Sequence, residues 1–192
     1  MRRVGRITEP AVVTRVKRLE GALKRWFDVL VAVPLIVFIS PLLISLLIAC
    51  AISSRTMPLR AEKCVGHKGH PFWRLRLVAP PPEAGGIARP LRQFILSGSA
   101  ARLPELFNVL LGDMSLVGPT PLNRADLDRY GEMRRYYLVA RPGLVALWEV
   151  AIPSVIGWES RIAFDRDYIE KWTFLRDLRI LTLRAGRMRA RL

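Results

Sequence analysis

Cys64, His67 and His70 fall at every third position and are of metal-ligating type. Thiolate and imidazole together suit zinc, but a zinc site needs a fourth ligand or an ordered water. The chain has no further histidine, and its other cysteine, Cys50, ends an apolar run. The same residues lie within Val65-Gly66-His67-Lys68-Gly69-His70, a composition that marks a turn, so a hairpin turn is expected here rather than a metal site. The second candidate is Gly118-Pro119-Thr120-Pro121, a rigid turn whose backbone could approach a phosphate closely. Charge favours such a ligand: 31 Lys and Arg against 16 Asp and Glu leave +15. Nucleic acid, anionic lipid head groups and phosphorylated substrates all answer that charge. No nucleic-acid-binding motif is recognisable, so lipid and lipid phosphate are the expected partners and nucleic acid is not.

The element that must position this chemistry is the run from Val29 to Ile52, which holds no charged residue. At about 1.5 Å per residue a continuous helix of that length would cross a bilayer core of roughly 30 Å. Pro34 and Ser40-Pro41 interrupt it, and an internal proline costs about 3 kcal/mol and bends a helix. Arg18, Lys24 and Arg25 precede the run while Arg55, Arg60 and Lys63 follow it, so cations mark both ends and give no single orientation. A helix that enters, turns at Ser40-Pro41 and leaves by the same face fits these flanks. A single kinked span and a buried core helix are the alternatives. The run starts too late and is too long for a cleaved signal peptide. Two isolated cysteines imply no disulfide framework and a reducing compartment.

Around this run the chain reads as helices with one small hairpin. Met1 to Pro10 is a basic arm, and Val12 to Phe27 has apolar residues at helical spacing among cations, as an interfacial helix or a solvated basic one would. Phe72 to Leu77 supplies the second hairpin strand. Pro80, Pro81 and Pro82 with Gly85 and Gly86 make a connector. Leu103, Leu106, Phe107, Leu110 and Leu111 repeat on one helical face, with Pro104 at the start and Gly112 as a stop. Arg124 to Tyr137 alternates charge like an exposed helix. Trp148 and Trp158 suit either a membrane interface or a packed core. Thr173 to Leu192 reads as a basic amphipathic helix, on lipid or in solvent.

The chain resembles the bacterial sugar transferase family, the monotopic polyprenyl-phosphate phosphoglycosyl transferases. The resemblance runs from Lys24-Arg25 to about Leu183 and includes Ser40-Pro41, Val65-Gly66, Gly69 and Phe72. It is densest over Leu103-Pro104, Leu106 to Leu110, Gly112 to Pro119 and Pro121. Arg141-Pro142-Gly143-Leu144, Asp165, Tyr168 and Asp177-Leu178 continue it. It implies a mainly α fold with a small β-hairpin, a re-entrant helix-break-helix at Ser40-Pro41, and amphipathic interfacial helices. It also implies transfer of a sugar phosphate from a nucleotide diphosphate sugar to polyprenyl phosphate in exopolysaccharide biosynthesis. In the family an aspartate just before Leu-Pro attacks the diphosphate, the adjacent glutamate completes the pair, and magnesium neutralises charge.

At those two positions this chain has Ala101 and Arg102. A methyl group cannot attack phosphorus, and a guanidinium repels magnesium. Thr120 replaces the arginine of the family's Gly-Pro-Arg-Pro, and Arg76 is the one cation kept from a family Lys-Phe-Arg segment. Three readings of the site compete. Glu105 or Asp113 replaces the missing pair; Arg102 stands in for the metal and binds a diphosphate; or Arg102 is a solvated surface side chain. The phosphate-binding candidates are Arg76, Arg102 and Arg141, the last because its segment lies near substrate phosphate in the family. The expected organisation is a basic leader and interfacial helix over 1–26, a re-entrant helix over 27–52 and a cytosolic domain over 53–192, on the cytosolic face of the inner membrane. The expected partners are anionic lipid, polyprenyl phosphate, nucleotide sugar and an active homologue.

Overall fold

The computed structural model describes residues 21–54, 57–84, 88–97, 100–151 and 157–189; the basic arm and most of the expected interfacial helix lie outside them. Helix α1, Ala22–Ser54, is 33 residues long with Pro34 and Pro41 inside it, and it is long and apolar enough to cross a membrane. The helix runs on through Ser40-Pro41, where a break is expected. Proline 41 has no N–H to offer the carbonyl four residues back, that of Val37. The Ser40 hydroxyl donates to that same oxygen at 2.8 Å. Serine beside proline thus supplies the hydrogen bond that the ring removes, as apolar surroundings require.

Both ends of α1 are attached to the rest of the chain. Near its start Phe27, Val31 and Ala32 pack into the main core with Leu106, Val109, Met114 and Leu116. Near its end Leu46 and Cys50 pack with Leu77, Leu91 and Ile95. Between them Val37 and Phe38 are exposed, Phe38 by 84%.

Strands β1 (Leu59–Val65) and β2 (Pro71–Leu77) form the expected antiparallel hairpin, with Leu59 opposite Leu77 and Val65 opposite Pro71. Its turn includes Lys68 and Gly69 at positive φ. The hairpin also separates the three metal-type residues: Cys64 packs in the core beside Phe72, while His70 is exposed in the turn region. Cys64 lies on β1, whereas His67 and His70 lie in the turn beyond its end.

Helix α2 (Ala88–Ser97) leads through the 3₁₀ turn Ala100–Arg102 into α3 (Glu105–Leu111). Pro104 and Gly112 delimit α3 as expected, Gly112 closing it with φ 96°. Its buried face, however, is Glu105, Leu106, Asn108 and Val109, and Leu111 is 74% exposed with Phe107 and Leu110 partly so. Asn108 explains the rotation. Its amide donates to Trp73 O at 2.7 Å and accepts from Leu75 N at 3.1 Å, satisfying the backbone edge of β2 and turning that side of α3 inward.

Strands β3 (Ser115–Val117) and β4 (Gly143–Val145) pair in parallel, Ser115 opposite Gly143 and Val117 opposite Val145. The chains cross at Gly118 and Gly143, where Gly143 N donates to Pro119 O at 2.8 Å and Gly118 N to Val145 O at 3.1 Å. A Cβ on Gly118 would lie 2.8 Å from Gly143 N, and one on Gly143 2.8 Å from Gly118 O.

The single helix expected over Arg124 to Tyr137 is two short ones, α4 (Arg124–Asp128) and α5 (Arg134–Leu138). Gly131 at φ 49° parts them, in the left-handed region that ends a right-handed helix. The expected ion pairs are present, Arg129 to Asp126 at 3.7 Å and Arg134 to Asp128 at 3.6 Å. The buried side of this segment is Leu127, Tyr130 and Tyr137. Three helices complete the fold: α6 (Leu147–Ala151), α7 (Trp158–Glu170) and α8 (Phe174–Arg189). In α8 part of the expected basic face is turned toward protein, since Arg176 bonds Asp167 at 2.5 Å, while Leu175 is 75% exposed.

The backbone crossing gives a sharp expectation. Gly143→Ala should destabilise the protein by roughly 3 kcal/mol or more, because backbone rather than a movable side chain meets the new methyl. Gly186→Ala, a helical position with open space around it, should be neutral or stabilising by up to about 1 kcal/mol. Thermal unfolding in one detergent compares the two.

Candidate functional site

Arg102 sits at the end of the 3₁₀ turn before α3, and the fold brings two carboxylates to it. Its Nε donates to Glu105 Oε2 at 3.1 Å and its NH1 to Glu149 Oε1 at 2.7 Å. Glu105 is the first residue of α3 and fully buried; Glu149 comes from α6. Two more guanidinium groups stand around the pair, Arg76 Nε 3.7 Å from Glu105 Oε1 and Arg184 NH1 3.9 Å from Glu149 Oε2. Five elements therefore meet here: β2, the 3₁₀ turn, α3, α6 and α8. Asn108, by docking α3 on β2, is what carries Arg76 to Glu105.

The electrostatics follow from burial. Burial pushes the Glu105 carboxyl above its usual range, against the pull of Arg102, Arg74 and Arg76. For Arg102, burial lowers proton affinity, but the charges and hydrogen bonds of Glu149 and Glu105 outweigh it and leave the guanidinium more firmly protonated than usual.

Arg102 is no solvated surface group: its side chain is only 18% exposed and ion-paired twice. Glu105 is closed off from solvent and engaged by Arg102. Asp113 follows the far end of α3, which at about 1.5 Å per residue puts roughly 10 Å of helix between it and residue 105. The methyl of Ala101 packs with Leu103 against the cluster of Leu77, Leu91 and Ile95.

Magnesium, which the family resemblance implies, does not fit these residues. Ala101 and Arg102 present a methyl and a cation, and Arg102 bonds the carboxylates of Glu105 and Glu149. Among the described residues no three Cys, His, Asp or Glu groups gather as a metal site would require.

Arg76 and Arg102 thus meet at Glu105, but Arg141 stands apart. Its Nε donates to Gly112 O at 3.0 Å, at the other end of α3. The Gly118-Pro119-Thr120-Pro121 turn does not form the open anion cradle expected of it. Gly118 N–H is taken by Val145 O, and proline has no N–H to give. Thr120 Oγ1 accepts from Trp148 Nε1 at 2.7 Å, and the Arg161 guanidinium stacks 4.7 Å from that indole and 5.6 Å from Trp158. Both tryptophans are therefore packed against protein. Glu149, Arg184 and Arg161 were not found as site residues from the sequence: each lies at least 47 positions from Arg102, and no local pattern ties them to it.

Asp165 lies beneath the same turn, 3% exposed, accepting from Tyr130 OH at 2.9 Å. Burial lifts its carboxyl from 3.8 to about 7, against the lowering by Tyr130 and the Thr120 backbone. A carboxyl that holds its proton better when folded contributes stability below its unfolded pKa and loses it as pH rises through the folded one. Stability should therefore fall by roughly 2–4 kcal/mol between about pH 4 and pH 8 through this group. Asp165→Asn should flatten that slope, read by denaturant unfolding across pH.

With the geometry in place, relatives can be compared. The family described as bacterial sugar transferase matches residues 19–190. The exopolysaccharide production protein ExoY of Sinorhizobium fredii is 27% identical over 202 aligned positions, covering 90% of this chain and 88% of that protein. The UDP-glucose:undecaprenyl-phosphate glucose-1-phosphate transferase of Caulobacter vibrioides is 34% identical over 177 positions, 82% of this chain and 66% of its own. The undecaprenyl-phosphate galactose phosphotransferase of Salmonella typhimurium is 45% identical over 89 positions, 46% of this chain but only 19% of that longer protein. From the start of α1 to the end of α8, the chain belongs to the bacterial sugar transferase family.

Proposed function

We propose that the protein works in exopolysaccharide biosynthesis, at the step that passes a sugar phosphate from a nucleotide diphosphate sugar to polyprenyl phosphate. The family match over 19–190 carries this reading, with relatives named for undecaprenyl-phosphate sugar transfer. The surplus of cations suits two phosphorylated substrates at an anionic surface. Arg76, Arg102 and Arg141 are the proposed phosphate contacts. Arg76, its side chain 36% exposed, is the more accessible partner of Glu105.

The proposed setting is the cytosolic face of the inner membrane, with residues 1–26 at the interface, 27–52 re-entrant and 53–192 in the cytosol. Support comes from how α1 is tied down. The elements that hold its first turns, α3 and β3, and those that hold its last, β2 and α2, belong to one packed body. A helix crossing about 30 Å of hydrocarbon would place its ends on opposite sides. The exposed apolar residues of α3 and α8 would lie along the same lipid surface.

Ala101 and the Arg102–Glu105–Glu149 cluster favour a second reading: a catalytically silent member that binds lipid phosphate, nucleotide sugar or an active homologue. Purified protein in vesicles with nucleotide sugars and polyprenyl phosphate separates the two, since nucleoside monophosphate release requires turnover. Under the silent reading release is absent, and Ala101→Asp with Arg102→Glu restores it; release by the natural chain overturns that reading. Loss of a nucleophile costs on the order of 10⁴-fold or more in comparable enzymes, so the contrast is large. For topology, thiol labelling of single cysteines placed before and after α1 should reach both from one face.

A further inference from the structure

The hairpin sets like charges directly opposite one another. In its register Arg60 faces Arg76 and Glu62 faces Arg74, and alternation puts all four side chains on one face. Opposed cations destabilise a strand pair, their Cβ atoms being only about 5 Å apart. The carboxylates at hand do not cancel them. Glu62 is ion-paired with Arg74, and Glu105 is hydrogen-bonded by Arg102, with Arg76 at 3.7 Å from its other oxygen. Arg60 is exposed, and among the described residues it is left with no ion pair. Burial alone would raise the Glu62 carboxyl, yet the Arg74 hydrogen bond and the charges of Arg74, Arg76 and Arg60 hold it below its usual range. This face of the hairpin therefore has three guanidinium groups for one carboxylate of its own, an excess of two positive charges.

The place of that excess in the fold identifies the ligand. Leu59 and Leu77 pair one residue further along the strands, and Leu77 packs on Leu46 and Cys50 near the end of α1. About 3.3 Å of strand thus separates the two opposed cations from the apolar helix, and Ile52 and Met57, between α1 and β1, are exposed apolar residues. We propose that Arg60 and Arg76 form a clamp for the phosphate of a lipid phosphomonoester, its tail lying along the exposed apolar end of α1. A phosphomonoester brings close to two negative charges at neutral pH, and guanidinium groups meet phosphate oxygens in fork geometry. A phosphodiester lipid brings one charge, and a soluble nucleotide gains nothing from the adjoining apolar surface. Arg60 thereby joins Arg76 as a phosphate contact. This rests on the proposed setting of α1 in lipid, and it holds whether or not the chain turns substrate over.

The full chain in neutral detergent micelles is titrated with dioleoyl phosphatidic acid, a phosphomonoester, or dioleoyl phosphatidylglycerol, a phosphodiester, and the rise in Tm gives the apparent affinity. At equal total lipid charge the natural chain should bind phosphatidic acid the more tightly. Arg60→Gln should weaken that binding by about tenfold, the loss of one charge-assisted contact. Lys63→Gln removes the same charge from the opposite face of β1 and should stay within about twofold of the natural chain. Without lipid, Arg60→Gln should match or exceed the natural Tm, because a cross-strand repulsion is gone, so its weaker binding is no folding defect. Equal affinity for the two lipids overturns the proposal, as do equal losses in the two variants. Stabilisation by UDP in the water phase that matches phosphatidic acid overturns the assignment to a lipid. Thiol labels that reach the two ends of α1 from opposite faces overturn the membrane setting instead, so the two failures are told apart.

Discussion

A buried lysine holds the apolar helix to everything else. Lys24, 6% exposed in the first turn of α1, donates to Asp177 Oδ2 at 2.5 Å and to Val117 O at 3.0 Å. Asp177, in α8, also accepts from Tyr168 OH at 2.8 Å and from Trp172 Nε1 at 3.0 Å. Removing one partner from such a buried pair typically costs about 3–5 kcal/mol, because the other charge is left without compensation. The consequence is geometric. Helix α1, strand β3, α7 and α8 are joined at one point, and the adjacent Arg25 grips the last carbonyls of α3, Val109 O at 2.5 Å and Leu110 O at 2.6 Å. Cations at the close of a helix also meet the negative end of its dipole.

That attachment sets where the Arg102 cluster can form. Helix α3 is fixed at its C-terminal end by Arg25 and Arg141, and in the middle by Asn108 on β2. Its N-terminal residue, Glu105, is then carried into the space between β2 and α6. The turn that leads into α3 is thus occupied by packing and charge neutralisation, with Ala101 on an apolar cluster and Arg102 between carboxylates.

The same arrangement sorts the apolar residues into two kinds. Those of α1 that face the protein, such as Ala32, Leu46 and Cys50, are buried. Phe38, Trp26, Leu30 and Ile52 are exposed, as are Leu111 on α3 and Leu175 on α8. In water such surface would be unfavourable at about 25 cal/mol per Å². Exposed apolar surface on an element long enough to cross a bilayer is what lipid contact explains.

Local signals in the sequence were sufficient wherever a residue's own chemistry settles the matter. A charge-free run of this length becomes a helix, Pro104 and Gly112 bracket α3, and the glycines at 66 and 69 turn a hairpin, because backbone preference acts over a few residues. The ordered motifs pointed to the family that the match over residues 19–190 shows. What tertiary structure alone decided is where side chains went once distant segments met. Asn108 turned α3 so that Leu106 stays buried while Phe107, Leu110 and Leu111 face outward, Gly131 divided the charged segment in two, and the Gly118 turn spent its first N–H on β4. Most of all, it delivered Glu149 and Arg184 to Arg102. Charge balance in a buried site is set by neighbours in space, and residues 47 and 82 positions away leave no periodicity by which a linear reading could place them.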